Sequence, residues 1–262
     1  MLEFYMSQGS ACCRKVHMVL HEKNLDWTNH VFDLRRGDQL SADYRLINPN
    51  AEVPTLVHDG VPIIQSTVIM EYLDEVFPTP TLKPADAIGR ASIRQWCKWP
   101  DEGGHVGYSY LAFAVSHRHI PHDPAPGAAL SQLTEKPDAE RQERQRQAIE
   151  LGLDAPAIPG TMRRFDKLFG DMEAALEPGG WLAGDEFSLA DIAIAPYASR
   201  LSDMKLHELW EAERPLVTDW FERLKQRPSY EKGIVENASP KVAQLMAENG
   251  SAAWPKLKAM ID

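Results

Sequence analysis

A hydroxyl and two thiols stand within four positions near the start of the chain, in Ser7-Gln8-Gly9-Ser10-Ala11-Cys12-Cys13-Arg14. A short apolar run, residues 2–5, precedes them, and the apolar positions Val16, Val19 and Leu20 follow at helical spacing. This pattern predicts strand, turn and helix. It places Ser10 at a helix N-terminus, where backbone N–H groups and the helix dipole favour a thiolate, a carboxylate or a phosphate. Cys12 stands beside Ser10 as a rival reactive group. Cys12 and Cys13 are adjacent, which disfavours a disulfide between them on geometric grounds.

Two further stretches carry polar groups at element boundaries. In Asn48-Pro49-Asn50-Ala51-Glu52-Val53-Pro54-Thr55-Leu56, Pro54 follows a polar loop and opens a strand. The spacing suits an ordinary strand-start proline and is compatible with a cis Val53-Pro54 bond. Gln65-Ser66 lies between a strand and a helix. Ser66 reads as the N-cap, either as a plain cap or as part of a second site for a carboxylate, with Gln65 adding an amide.

The elements that must position these groups alternate. Residues 2–5 and 26–34 read as strands, separated by a helix from 11 to about 23. Ala42–Ile47 reads as a short helix ended by Asn48-Pro49. Thr55–His58 and 62–64 form a hairpin around Asp59-Gly60. A helix then runs from Ser66 until Pro78-Thr79-Pro80. The order βαβαββα is a small α/β layer structure. Residues 78–87 read as a linker, and strand signals fade beyond it. Helices are expected over 88–113, 161–176, 189–206 and 215–227, so an α/β domain spans 1–80 and an all-α domain 88–262. Residues 118–158 interrupt the helical pattern with Pro121, Pro124 and Pro126 and a charged helix at Ala139–Leu151. The tail after Asn237 has a weak helical pattern.

Taken together, these motifs resemble the glutathione transferase superfamily: Tyr5 followed five residues later by Ser10, then Cys-Arg; Asn-Pro followed by Val-Pro-Thr-Leu; and Gln-Ser opening a helix. The resemblance implies a thioredoxin-like N-terminal domain in which Ser10 replaces the first cysteine of Cys-x-x-Cys. It implies that the Ser10 hydroxyl donates to the glutathione sulfur and favours the thiolate, with Cys12 the rival. Val53 matches the residue whose backbone pairs with the cysteinyl part of glutathione, Pro54 the cis proline, and Gln65 and Ser66 the pair that binds the γ-glutamyl group. Arg14 reads as structural. Trp181-Leu182-Ala183-Gly184-Asp185 and Phe187-Ser188-Leu189-Ala190-Asp191 resemble the C-terminal folding motif, with Ser188 and Asp191 at capping-box spacing. Lys98-Trp99-Pro100-Asp101-Glu102 with the insertion after it looks like the bacterial β-aryl etherase branch, whose members use glutathione to cleave aryl ethers. The resemblance implies glutathione as co-substrate, a small apolar or aromatic electrophile and a homodimer. Trp99, His105, Tyr108 and Phe113, expected on one long helix, are the candidate lining of the electrophile pocket.

Composition bounds the rest. The chain has 262 residues, 38 acidic against 28 basic side chains and a formal net charge of −10, which argues against nucleic acid and a membrane surface as partners. No apolar run approaches the ~20 residues of a membrane span, and the start lacks a secretory pattern. Three cysteines give neither a disulfide framework nor a zinc spacing, so a reducing cytoplasm is expected. His117, His119 and His122 have metal-like spacing. Their proline-rich surroundings and missing carboxylate partners favour a solvated loop, so no metal is expected.

Overall fold

Alternation along the first strand sets the two faces of the sheet. Leu2, Phe4 and Met6 are buried, while Glu3 and Tyr5 point the other way and are half-buried. In the computed structural model, residues 1–120, 139–177 and 180–261 are described; Pro121, Pro124, Pro126 and His122 lie outside them. Strands β1 (Leu2–Met6), β2 (Thr28–Val31), β3 (Thr55–His58) and β4 (Val61–Ile64) form a sheet of order β2-β1-β3-β4. β2 runs parallel to β1, and the other two pairs are antiparallel. Helices α1 (Ala11–Glu22) and α3 (Ser66–Val76) pack against each other, burying Val16, Leu20, Ile69 and Leu73 together with Phe4 and Leu56 of the sheet. α2 (Ala42–Ile47) brings Tyr44 within 5.6 Å of the Tyr5 ring and 4.7 Å of Phe32.

The later helices are α4 (Ala87–Trp99), α5 (His105–Val115), α6 (Ala139–Leu151), α7 (Ala157–Leu176), α8 (Leu189–Asp203), α9 (Glu208–Glu211), α10 (Pro215–Lys225), α11 (Pro228–Tyr230) and α12 (Pro240–Lys258). No described helix is long and apolar enough to cross a membrane. The chain forms two compact units. The first comprises Met1–Cys97, Gly179–Pro196 and Phe221–Ala238, the second Lys98–Pro178, Tyr197–Trp220 and Ser239–Asp262.

In the first unit, α1 is anchored at its C-terminal end by charge. Arg227 donates to both oxygens of Glu22, at 2.9 and 2.8 Å. The Lys23 ammonium, fully buried, binds Asp74 and the Pro80 carbonyl. Asp74 also accepts from Leu82 N–H at 2.8 Å, so one paired buried carboxylate ties α1, α3 and the 78–82 segment together. Asp191 does similar work at the start of α8. One oxygen accepts from Leu182 N–H at 3.0 Å and the other from Ser188 N–H at 2.9 Å, while Ser188 Oγ accepts from Ala190 N–H at 3.3 Å. That is the capping box expected from the sequence, with an extra bond to the Trp181-Leu182 segment.

The second unit is helical among the described residues. Its core holds Leu111, Met162, Phe165, Phe169, Trp210 and Met246. The weakly patterned tail packs as α12, burying Met246, Ala253, Trp254 and Leu257. Its Gly250 meets the Met204 backbone, where an added Cβ would lie 1.7 Å from the carbonyl oxygen.

Two elements differ from expectation. The second strand ends at Val31, because carboxylates fold the chain that follows: Asp33 Oδ1 accepts from Arg35 N–H at 2.9 Å and Asp38 Oδ2 from Asp33 N–H at 2.8 Å. The single helix expected over 88–113 is two helices, separated by a wide turn at Pro100–Gly104. Pro100 cannot donate to the helix ladder, and Gly103 takes φ 108, a region that favours glycine. Trp99 therefore ends α4 and His105 begins α5.

Asp191→Ala removes a buried carboxylate that holds three backbone or hydroxyl donors. Bonds to charged groups are worth about 1.5–3 kcal/mol each, so urea unfolding of the variant should show a loss of at least about 3 kcal/mol. A second prediction concerns α1. His17 is buried against Phe4, His21 and Trp27, with its Nδ1 3.0 Å from Asn237 Nδ2. Burial first, and His21 second, push its pKa down to about 4. The fold thus keeps His17 neutral while the unfolded chain takes up a proton below its ordinary pKa of about 6.5. Stability should be complete above that value and fall as pH drops toward 4, by about 2 kcal/mol between pH 7.5 and 5. Urea titrations of the wild type and His17→Gln across that range measure it, with a shallower slope expected for the variant.

Candidate active site

Strand register decides what meets at the site. Tyr5 of β1 faces Thr55 of β3, and Thr55 faces Ile64 of β4. The chain therefore leaves β1 beyond Met6, enters β3 from Pro54 and leaves β4 at Gln65, all at one end of the sheet. β2 ends there too, since Met6 faces Val31 and Phe32 N–H donates to Met6 O at 2.8 Å. Four loops share that end, and three of them carry Ser10, Val53-Pro54 and Gln65-Ser66.

Ser10 is the N-cap of α1. Its extended backbone (φ −81, ψ 121) lets Oγ accept from Cys13 N–H at 3.3 Å. The preceding turn is held by Ser10 N–H to Ser7 O at 3.0 Å and by the buried Arg14, whose Nε donates to Gln8 O at 3.4 Å, in keeping with a structural Arg14. Oγ accepts from the backbone and the hydroxyl keeps its own proton as a donor, within hydrogen-bond reach of the buried Cys13 thiol. The first turn of α1 contains no acidic residue. No carboxylate of the helix itself competes for the positive end of the dipole.

The two neighbouring thiols are unlike. Cys13 is fully buried and its Sγ lies 3.4 Å from Ser7 N–H. Burial pushes its pKa up to about 12, so it stays a neutral thiol. Cys12 is half-buried in the first helical turn.

The Val53-Pro54 peptide is cis. Val53 is half-buried and Pro54 buried, and the loop before them is held by Tyr44 and Asn48. Neither is marked in the sequence: Tyr44 falls within a short helix and Asn48 ends it. At the third loop the cap falls one residue earlier than expected. Gln65 is the N-cap of α3, exposed, with φ 72 and ψ 116, and Ser66 is the first helical residue, buried. A non-glycine residue in that left-handed region is costly and tends to mark a ligand site. The fourth loop follows β2. It carries the exposed Arg35 and Arg36, each near Asp33, at 3.5 and 3.7 Å. An Arg-Arg pair directly after a strand was the available signal.

The candidate pocket residues belong to the second unit and only partly gather there. Trp99, His105 and Tyr108 surround Tyr197, at ring distances of 5.5, 6.1 and 5.7 Å, and His105 Nδ1 lies 3.3 Å from the Tyr197 hydroxyl. Tyr108 and Tyr197 are buried; Trp99 and His105 are half-exposed. Phe113 instead packs edge-on against His117, 5.2 Å away. Tyr197 carries no separate sequence signal, because it falls two turns past Leu189 in the apolar pattern of a core helix. Among the described residues no group of histidine, cysteine and carboxylate side chains could hold a metal, and His122 lies outside them.

Two family models match the chain. The one described as glutathione S-transferase, N-terminal domain, matches residues 9–76, and the one described as glutathione S-transferase, C-terminal domain, matches residues 140–223. Together they cover more than half of its length. The protein LigF of Sphingobium sp. strain SYK-6 is 29% identical over 233 residues, covering 87% of this chain and 91% of its own. Glutathione S-transferase GstB of Escherichia coli is 27% identical over 237 residues, covering 90% and 98%. The crystal structure of the beta-etherase LigF from the same Sphingobium strain aligns with a TM-score of 0.79 at 28% identity, covering 90% of this chain and 99% of that one. A theta class glutathione S-transferase from Xanthomonas axonopodis pv. citri, with glutathione bound, shares the fold at a TM-score of 0.64 and 22% identity, covering 89% and 96%.

The thiols give a direct check on this geometry. Brief treatment of the folded protein with iodoacetamide at pH 8 should label Cys12 and spare the buried Cys13 and Cys97. Peptide mass spectrometry reads the result, and denaturant should expose all three.

Proposed function

Because the chain belongs to the glutathione S-transferase family, and so is a transferase with glutathione as co-substrate, we propose that the Ser10 hydroxyl holds the glutathione sulfur as its thiolate. The observation that carries this reading is the cap geometry at α1. Ser10 Oγ accepts from Cys13 N–H and carries a proton that can turn from the neutral Cys13 thiol to a bound sulfur, at a helix end with no acid in its first turn. A charge-assisted bond of about 2 kcal/mol corresponds to a drop of roughly 1.5 units in the thiol pKa. The thiol proton passes to solvent. The thiolate then attacks an electrophilic carbon, forming a C–S bond while the leaving group departs with its electron pair.

The remaining roles follow the sheet end. The Val53 backbone pairs with the cysteinyl backbone of glutathione beside Pro54. Gln65 and Ser66 hold the γ-glutamyl group at the start of α3, where the N-terminal dipole suits a carboxylate. Arg35 and Arg36 supply positive charge for the second carboxylate. Trp99, His105 and Tyr108, gathered about Tyr197, serve a small apolar or aromatic electrophile. The active species is a cytoplasmic homodimer acting in detoxification.

The likeness to LigF, a beta-etherase, favours a narrower version: attack on the carbon of an aryl ether, with the phenol as leaving group. A panel of aryl halides, epoxides and β-aryl ethers, each with glutathione, separates the versions by kcat/KM. A cysteine-based oxidoreductase is the rival chemistry, and it requires a mixed disulfide on Cys12 after exposure to oxidised glutathione.

Ser10 variants test the central assignment. Ser10→Ala should lower kcat by roughly tenfold or more, against a small change in glutathione affinity, and cost about 1 kcal/mol of stability through the lost cap. Ser10→Asp keeps a good cap and should be as stable as the wild type, yet inactive, because its carboxylate repels the thiolate. Full activity in either variant sinks the role of Ser10, and full activity only while Cys12 is present hands it to Cys12.

A further inference from the structure

Polar side chains are concentrated beneath the loop that precedes β3. Tyr44, Asn48 and Thr55 are each almost wholly buried, Thr55 completely. Asn48 Nδ2 donates to the Glu52 carbonyl at 2.8 Å and to Thr55 Oγ1 at 2.9 Å, and Asn48 Oδ1 accepts from Asn50 N–H at 3.0 Å. The Tyr44 hydroxyl lies 2.6 Å from the Glu52 carbonyl and 2.8 Å from Thr55 Oγ1. Burial pushes the pKa of Tyr44 up to about 12, so the hydroxyl keeps its proton. Two side-chain donors therefore meet on one carbonyl oxygen, that of residue 52.

The sheet does not hold this part of the chain. Its ladder on both sides of β3 begins at Thr55, and Pro54 has no N–H to add to it. Ala51, just before, sits at φ 52, in the left-handed region that a side chain disfavours. A well-packed apolar cluster would stabilise the core at least as well as three buried polar groups. What the polar cluster adds is a fixed orientation for the peptide joining Glu52 to Val53.

We propose that the Tyr44–Asn48–Thr55 network sets the Val53 backbone for its pairing with glutathione, which makes these three side chains positioning residues of the transfer reaction. The proposal rests on the reading of Val53 as the residue that pairs with the cysteinyl backbone. The network acts on binding: it orients the peptide that receives glutathione and leaves the sulfur to Ser10. Loosening it should raise KM for glutathione and leave turnover at saturation nearly intact.

The test is steady-state kinetics with glutathione and an activated aryl chloride, on folded protein checked by circular dichroism. Asn48→Ala should raise the KM for glutathione roughly tenfold with kcat within about twofold of the wild type. Thr55→Val should do the same, and Thr55→Ser, which restores the Oγ acceptor, should bring KM back. Tyr44→Phe, which removes one donor and keeps the ring, serves if Asn48→Ala does not fold, and should raise KM roughly threefold. An unchanged KM in the folded variants, or a fall in kcat at constant KM, overturns the proposal. Calorimetry with S-methylglutathione separates the two levels. If the wild type does not bind it, the glutathione reading of this loop fails. If the wild type and all variants bind it equally, only the positioning role fails.

Discussion

The pairing of Thr55 with Tyr5 on one side and Ile64 on the other is the constraint from which the rest follows. A one-residue slip at either ladder would turn the buried face of β1 or β3 outward. Phe4 and Leu56 would then leave the core they share with α1 and α3. Core burial and the arrangement of loops are therefore one decision. The register that buries Phe4 and Leu56 also brings the Ser10 turn, the Val53-Pro54 segment and Gln65 to the same end of the sheet. No separate interaction is needed to gather them.

Position alone does not create a site for an anion, and α1 shows what else is required. Its C-terminal end is tied down by Glu22 with Arg227, and by the buried Lys23 with Asp74. Its flank is packed by His17, kept neutral by burial. Its N-terminal end carries no acid and a serine cap. Acids that would blunt the dipole at the cap are absent from the first turn, while the helix is fixed by ion pairs at its far end, away from the cap. The division follows from the fall-off of dipole effects within a turn.

The α/β order of the first unit was legible because its strands alternate and its helices begin and end on recognisable residues: Ser10, Asn48-Pro49, Asp59-Gly60, Pro78. Errors came where side chains outside the pattern decided the backbone. Asp33 and Asp38 shorten the second strand by accepting from backbone N–H groups, and no periodicity reports that. Pro100 and Gly103 divide a helix that apolar spacing alone joins. Gln65 takes the cap that Ser66 was expected to hold, because left-handed backbone at a glutamine has no propensity signal. Tyr44 and Asn48 were invisible for another reason. Their partners are a carbonyl and a hydroxyl in three dimensions, and residue type does not reveal which buried polar groups will converge.

The same physical logic explains why a serine suits the capping position when thiols follow so closely. A thiol buried as deeply as Cys13 is neutral, since desolvation disfavours its anion. A thiol at the cap itself would sit at the positive end of α1, be ionised there, and attack a disulfide such as oxidised glutathione, forming a mixed disulfide and releasing one glutathione thiolate. A hydroxyl in that place cannot ionise near neutral pH and cannot form a disulfide. It can only orient and donate. In the proposed role the nucleophile then comes from glutathione, and the helix end that would have activated a protein sulfur is available to stabilise a bound one.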